Sequence, residues 1–249
     1  MDLIGRGKGP KGAVWVAVRI PDNAICAHAN QARITTIPQG KTKLTKEQKR
    51  LQKELNCVCH GDWMYSKDVI SFAREKGYFT GADKDFSYQA AYCPFDFSGL
   101  FVCEARVWSF FRHFSNQMDQ YYDYAIGHTY KATEGKDEGE HMPLWIVPNH
   151  KVSVQEMKDC MRDEYKGTPI DITQGIDAGP WNSKLRYGGL GFKLDSTQYW
   201  YSRPTATQQT AWSFVAQMRA NNKNGIFWFG VDDAACTCYV PIYSCITKV

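Results

Sequence analysis

The sequence predicts an α+β layered fold, and three observations carry that reading. Strand-like patterns lie towards both ends and helical periodicity lies between them, an order that fits segregated layers better than a wound β-α-β alternation. No internal repeat is visible. Hydrophobic residues make up 43% and aromatics 14% of 249 residues, so the chain has ample material for a core and is not disordered.

Taken in order, Ala13 to Ile20 (AVWVAVRI) reads as a strand buried on both faces. Pro21-Asp22-Asn23 is turn chemistry, and Ala24 to Ile34 reads as a second strand closing an antiparallel hairpin with the first. Residues 39–62 hold the one basic run (KTKLTKEQKRLQK) and read as a solvated, partly helical surface insertion. Lys67 to Lys76 is helical, with Gly77 placed to end it. Ser98 to Ile126 shows the longest helical periodicity, and Gly127 would stop it. Thr129 to Glu140 is polar and acidic and reads as a loop.

A helix over Val154 to Tyr165 opens on a capping box, Ser153 with Glu156 three residues on. The last third returns to strands: Tyr199 to Ser202, Thr210 to Met218, then Gly225 to Val231 and Thr237 to Tyr243 as a hairpin.

A net charge of +4 is too small to point to nucleic acid. No stretch approaches the ~20 apolar residues of a membrane span. The nine cysteines are odd in number and scattered, which fits free thiols in a reducing or anaerobic setting; the compartment stays open, with the cytoplasm slightly ahead of an exported setting. Cys57-Val58-Cys59-His60 has metal-ligand residue types but no second pair at zinc spacing. No G-x-S-x-G, H-E-x-x-H, dinucleotide or phosphate-loop signature appears, so no cofactor is expected.

Three constellations remain. In HANQARI, strand alternation would put His28, Asn30 and Ala32 on one face, where an Asn amide can donate to a developing oxyanion. The same residues equally fit a polar strand end. Arg106, in CEARVWSFFR, fits either a stacked surface residue or an inward guanidinium for a substrate carboxylate. Gln208 and Gln209, in TATQQT, fit either a cleft lining or a polar turn.

Long blocks carry a resemblance over nearly the whole chain. They are GKGPKGAVWVAVRIPDNAICAHANQARI, DVISFAREKGYF, CEARVWSFFR, MPLWIVP, MRDEYKGTPIDIT, the AGP at Ala178 to Pro180, TATQQTAWSFVAQMR and GIFWFGVDDAACTCYVPIY. Together they resemble the PepD-type cysteine dipeptidases, related to the secernins and belonging to the N-terminal-nucleophile hydrolases.

The resemblance implies an αββα sandwich, of which residues 1–249 would be one incomplete hydrolase domain. It implies dipeptide substrates, and attack by a Cys thiolate at a mature N-terminus whose α-amino group is the base. It implies that the nucleophile lies outside this chain, which alone would be inactive. Asn30 is then similar to an oxyanion-holding Asn and Arg106 to an Arg lining the nucleophile pocket; His28, Arg33, Gln208 and Gln209 are weaker substrate contacts. A non-catalytic peptide-binding remnant or subunit is the alternative. Neither nucleic acid nor membrane is an expected partner, and a homo-oligomer stays open.

Overall fold

The computed structural model describes residues 2–5, 13–185, 191–220 and 224–246. It mixes helix and sheet, as the α+β reading expects. The chain divides into two compact units, residues 1–99 with 130–147 and residues 100–129 with 148–249.

The first unit is built on a four-stranded antiparallel sheet. Its strands are β1 (Asp2–Gly5), β2 (Ala13–Val18), β4 (Cys57–His60) and β5 (Trp63–Ser66), in the order β1-β2-β5-β4. A two-residue strand, β3 (Ile25–Cys26), lies between β2 and β4 in sequence but outside this sheet. Helices α1 (Lys46–Glu54), α2 (Val69–Glu75) and α3 (Tyr88–Tyr92) complete the first hundred residues. From the second passage come β6 (Tyr130–Lys131), β7 (Lys136–Asp137) and β8 (Trp145–Ile146).

Four expectations are corrected here. β2 does not pair with the 24–34 segment; it pairs with β1 and β5, while β3 pairs with β8. Most of 24–34 is irregular, because Asn30 adopts a left-handed backbone at φ 70° that strand pairing does not allow. β2 is buried on one face only, Val14 and Val16 fully and their neighbours halfway. Residues 39–62 are not wholly a surface insertion. α1 has no buried residue, but β4 is hydrogen-bonded to β5 with Cys57 and Cys59 buried. The two thiols lie 3.9 Å apart, and the Cys59 thiol donates to the Gln48 carbonyl of α1 at 3.5 Å, which seats the helix on the strand. The 129–140 loop holds the short β6–β7 hairpin.

The core of this unit gathers Val14, Val16, Ala32, Ile34, Tyr65, Val69, Ala73, Phe86 and Tyr88. Its buried hydroxyls find carbonyls: Tyr88 donates to Val14 at 3.2 Å and Tyr65 to Pro38 at 2.8 Å.

The second unit opens with the predicted long helix in pieces. Gly99–Glu104 is a π-helical turn, α4 follows at Ala105–Arg112, a 3₁₀ turn spans Asn116–Tyr121, and α5 is Tyr122–Ala125. The break falls at Ser115, whose hydroxyl accepts from the Gln117 N–H at 3.3 Å and starts a new N-terminus. The apolar periodicity still reports burial, with Leu100, Val107, Phe111, Phe114 and Met118 inside.

Helix α6 (Val154–Met161) has the predicted capping box and stops earlier than predicted, four residues before Tyr165, which takes φ 61°. Strands β9 (Gly191–Leu194) and β10 (Thr197–Trp200) form a hairpin. Strands β11 (Trp212–Gln217), β12 (Ile226–Val231) and β13 (Val240–Tyr243) form an antiparallel sheet in that order, including the predicted terminal hairpin.

Candidate functional site

In the first unit the chemistry-bearing segment is His28 to Ile34. Left-handed Asn30 breaks the alternation on which the one-face expectation rests: His28 and Asn30 are exposed, whereas Ala32 is buried. Asn is among the residues that tolerate this conformation, since its short amide can bond locally. Its neighbour Gln31 is 4% exposed and donates to the Cys93 carbonyl at 2.6 Å. Gly99 lies against that amide. A Cβ there would stand 2.5 Å from the Gln31 Oε1, so only glycine fits without moving it.

Arg33 ties this segment to the 142–146 stretch. Its Nη1 donates to Ala27 at 3.5 Å and Leu144 at 3.4 Å; its Nη2 donates to Met142 at 3.4 Å and Pro143 at 3.1 Å. The sequence offers Arg33 as a substrate contact; in the fold its guanidinium fork is engaged by backbone carbonyls on both sides of the β3–β8 pairing.

In the second unit, Arg106 sits half-buried in the first turn of α4, just after the π-helical turn. Its Nε donates to the Val102 carbonyl at 2.8 Å. The change from π to α hydrogen-bonding shifts the carbonyl register, and a side-chain donor at the junction steadies it. The positive charges of Arg106 and Arg203 favour the thiolate of Cys103. Burial pushes the Cys103 thiol up, the two guanidinium groups only partly offsetting it.

Neither Cys103 nor Arg203 was singled out in the sequence. The available signal was the i,i+3 spacing of Cys103 and Arg106 on a helix. For Arg203 the signal is an alternation visible only in three dimensions. Ser202, Pro204 and Ala206 are buried, so Arg203 is turned outward between them.

Several bonds fix that stretch. The Ser202 hydroxyl donates to Asp177 at 2.5 Å, the Tyr165 hydroxyl donates to the Arg203 carbonyl at 2.9 Å, and the Ala206 N–H donates to the Asp163 carbonyl at 2.9 Å. Gln208 and Gln209 follow as the two central residues of a turn closed by the Thr210 N–H on the Thr207 carbonyl at 3.0 Å, Gln208 half-buried and Gln209 exposed. His28, Asn30 and Arg33 thus belong to the first unit, and Arg106, Gln208 and Gln209 to the second.

The buried thiols are held protonated. Burial, reinforced by the Cys59 thiol, pushes Cys57 up to about 11. Burial and then the charges of Asp163, Asp159 and Glu156 push Cys160 up to about 12. A thiol at 11 is thiolate in roughly one molecule in ten thousand at pH 7, against a few per cent for an ordinary one. These side chains are small core residues and poor nucleophiles.

A family model described as Peptidase family C69 matches residues 1–249, the whole chain. The chain is also similar to a protein of Salmonella dublin described as a probable dipeptidase, with 24% identity over 160 residues. That alignment covers 64% of this chain and 30% of the relative, so this chain matches less than a third of the relative's length.

Proposed function

The chain belongs to peptidase family C69, and from that premise we propose that the protein hydrolyses the peptide bond of dipeptides by way of a thioester. The observation that carries the reading is the family match over all 249 residues, joined by the similarity to a probable dipeptidase. In this reading a Cys thiolate adds to the peptide carbonyl carbon. The carbonyl oxygen becomes an oxyanion, the amine leaves with a proton from the base, and water then cleaves the thioester.

We assign Asn30 to the oxyanion. It is exposed and lies on a left-handed turn outside the regular strands. We assign Arg106 to the wall of the nucleophile pocket. We read the α+β units as part of an αββα sandwich of the N-terminal-nucleophile type. His28, Gln208 and Gln209 are assigned as substrate contacts, in keeping with their exposed or half-buried positions. Arg33 we reassign to holding the Asn30 segment in place.

Burial disqualifies Cys57 and Cys160 as the nucleophile by keeping them protonated, and Cys103 is shifted the same way.

Hydroxylamine partitioning tests the mechanism. Protein isolated from its natural source, given a dipeptide and hydroxylamine, should form an aminoacyl hydroxamate, and iodoacetamide should abolish it. Hydrolysis that continues after alkylation, with no hydroxamate, would rule out the thioester.

A further inference from the structure

We propose that Cys57 and Cys59 form a two-thiolate site for a soft monovalent metal ion of the Cu(I) kind. The site stands apart from the peptidase reading, and neither needs the other.

The two cysteines lie two residues apart on β4. Strand alternation turns both to the buried face and turns Val58 and His60 to the other. Their sulfurs are 3.9 Å apart, with Cys57 2% and Cys59 3% exposed. Helix α1 lies over them: the Cys57 thiol donates to the Leu51 carbonyl at 3.8 Å and the Cys59 thiol to the Gln48 carbonyl at 3.5 Å.

A disulfide suits this pair poorly. Residues i and i+2 of an extended strand have Cα atoms about 6.8 Å apart, at the far end of what a disulfide spans. Zinc is poorly served too, since it takes four ligands. Among the described residues no group of three or more His, Cys, Asp or Glu side chains could hold a metal ion.

Soft thiolates select Cu(I), a filled-shell ion that is content with two of them in line. With metal–sulfur bonds of about 2.3 Å, a linear unit spans about 4.6 Å, so the sulfurs need part by only about 0.7 Å. Small rotations about the two Cα–Cβ bonds supply that. Binding sends both thiol protons to solvent, and two thiolates with one monovalent cation leave a single negative charge. Helix α1 carries Lys46, Lys49, Arg50 and Lys53 against Glu47 and Glu54, a positive excess that offsets it. The Gln48 side chain donates from Nε2 to the Gly61 carbonyl at 2.8 Å, which keeps the helix seated when the thiol protons leave.

Anaerobic titration of the 249-residue chain with Cu(I), against bicinchoninate as competitor, tests this. Iodoacetamide first caps the exposed Cys26, Cys236, Cys238 and Cys245, leaving the buried pair. The capped wild type should hold a single cuprous ion per chain, with sulfur as its ligand by X-ray absorption at the copper edge. Cys57→Ser and Cys59→Ser should each lose it, and Zn(II) offered in the same way should not be held.

Serine keeps a donor for the Leu51 and Gln48 carbonyls, so both variants should fold, which circular dichroism checks; Cys57→Ala and Cys59→Ala should lose the ion alike. No ion held by wild type, or an ion held equally after both cysteines are replaced, would overturn the site. Retention of Zn(II) through the same two cysteines would overturn the two-ligand assignment.

Discussion

Arg33→Ala separates a structural guanidinium from a substrate-binding one. The substitution removes four donor contacts that join Ala27 on one side to Met142, Pro143 and Leu144 on the other. Three of these, at 3.4–3.5 Å, sit at the edge of hydrogen-bonding range and contribute little; the 3.1 Å bond to Pro143 carries most of the effect. A hydrogen bond from a charged donor contributes about 1.5–3 kcal/mol, and this one is at an exposed position, so about 2 kcal/mol is expected in all.

In urea, with a slope of about 2–3 kcal/mol/M, the midpoint should fall by roughly 0.5–1 M. The loss should be local first. Amide exchange should quicken at Ile25, Cys26, Trp145 and Ile146, the β3–β8 pairing that the guanidinium spans. Because Asn30 lies three residues away, turnover should fall with it. A variant with unchanged stability and exchange, but a raised KM, would refute this account and restore Arg33 as a substrate contact.

Other outcomes follow from the same geometry. Ser153→Ala removes the acceptor for the Glu156 N–H at 3.2 Å and should destabilise by about 1 kcal/mol, measured by urea unfolding. The Glu156 carboxyl is held down at about 2, below its ordinary 4.5, by hydrogen bonds from Ser153 and by His150. A lowered folded value means that this contribution is complete above about pH 4.5 and is lost as pH falls through about 2. The carboxyl carbon shift of Glu156 should titrate near 2, and a midpoint near 4.5 would contradict the cap. Iodoacetamide at pH 8 should label the exposed Cys26, Cys236, Cys238 and Cys245 well before Cys57 and Cys160; equal rates would contradict the burial argument. Asn30→Ala should lower kcat by about 10²–10³ with a smaller change in KM, measured by amino-acid release.

Much of the local structure was legible because local rules decide it. The Ala13–Val18 strand, the Ser153–Glu156 box and the Gly77 terminator each act within a few residues, and each appears where the sequence puts it, though the strand buries one face and not the two expected. Pairing was not legible. The turn at Pro21–Asn23 is present, with the Ala24 N–H on the Pro21 carbonyl at 3.0 Å, yet it does not make a hairpin, because β5 is the strand that takes β2.

The long helix failed at Ser115 for a related reason. Apolar spacing reports which face is buried but not whether the backbone between two buried residues stays α-helical. Asn30 was found for its amide, whereas its left-handed backbone, which decides where that amide points, leaves no periodic trace. The backbone from Ser202 to Ala206 is held by Tyr165, Asp163 and Asp177, all distant in sequence, so no local pattern reports it.

The central claim is that this fold serves dipeptide hydrolysis, and amino-acid release from dipeptides tests it most directly. The protein should release both free amino acids from alanyl-leucine. No release, from any dipeptide tried, would contradict the peptidase account.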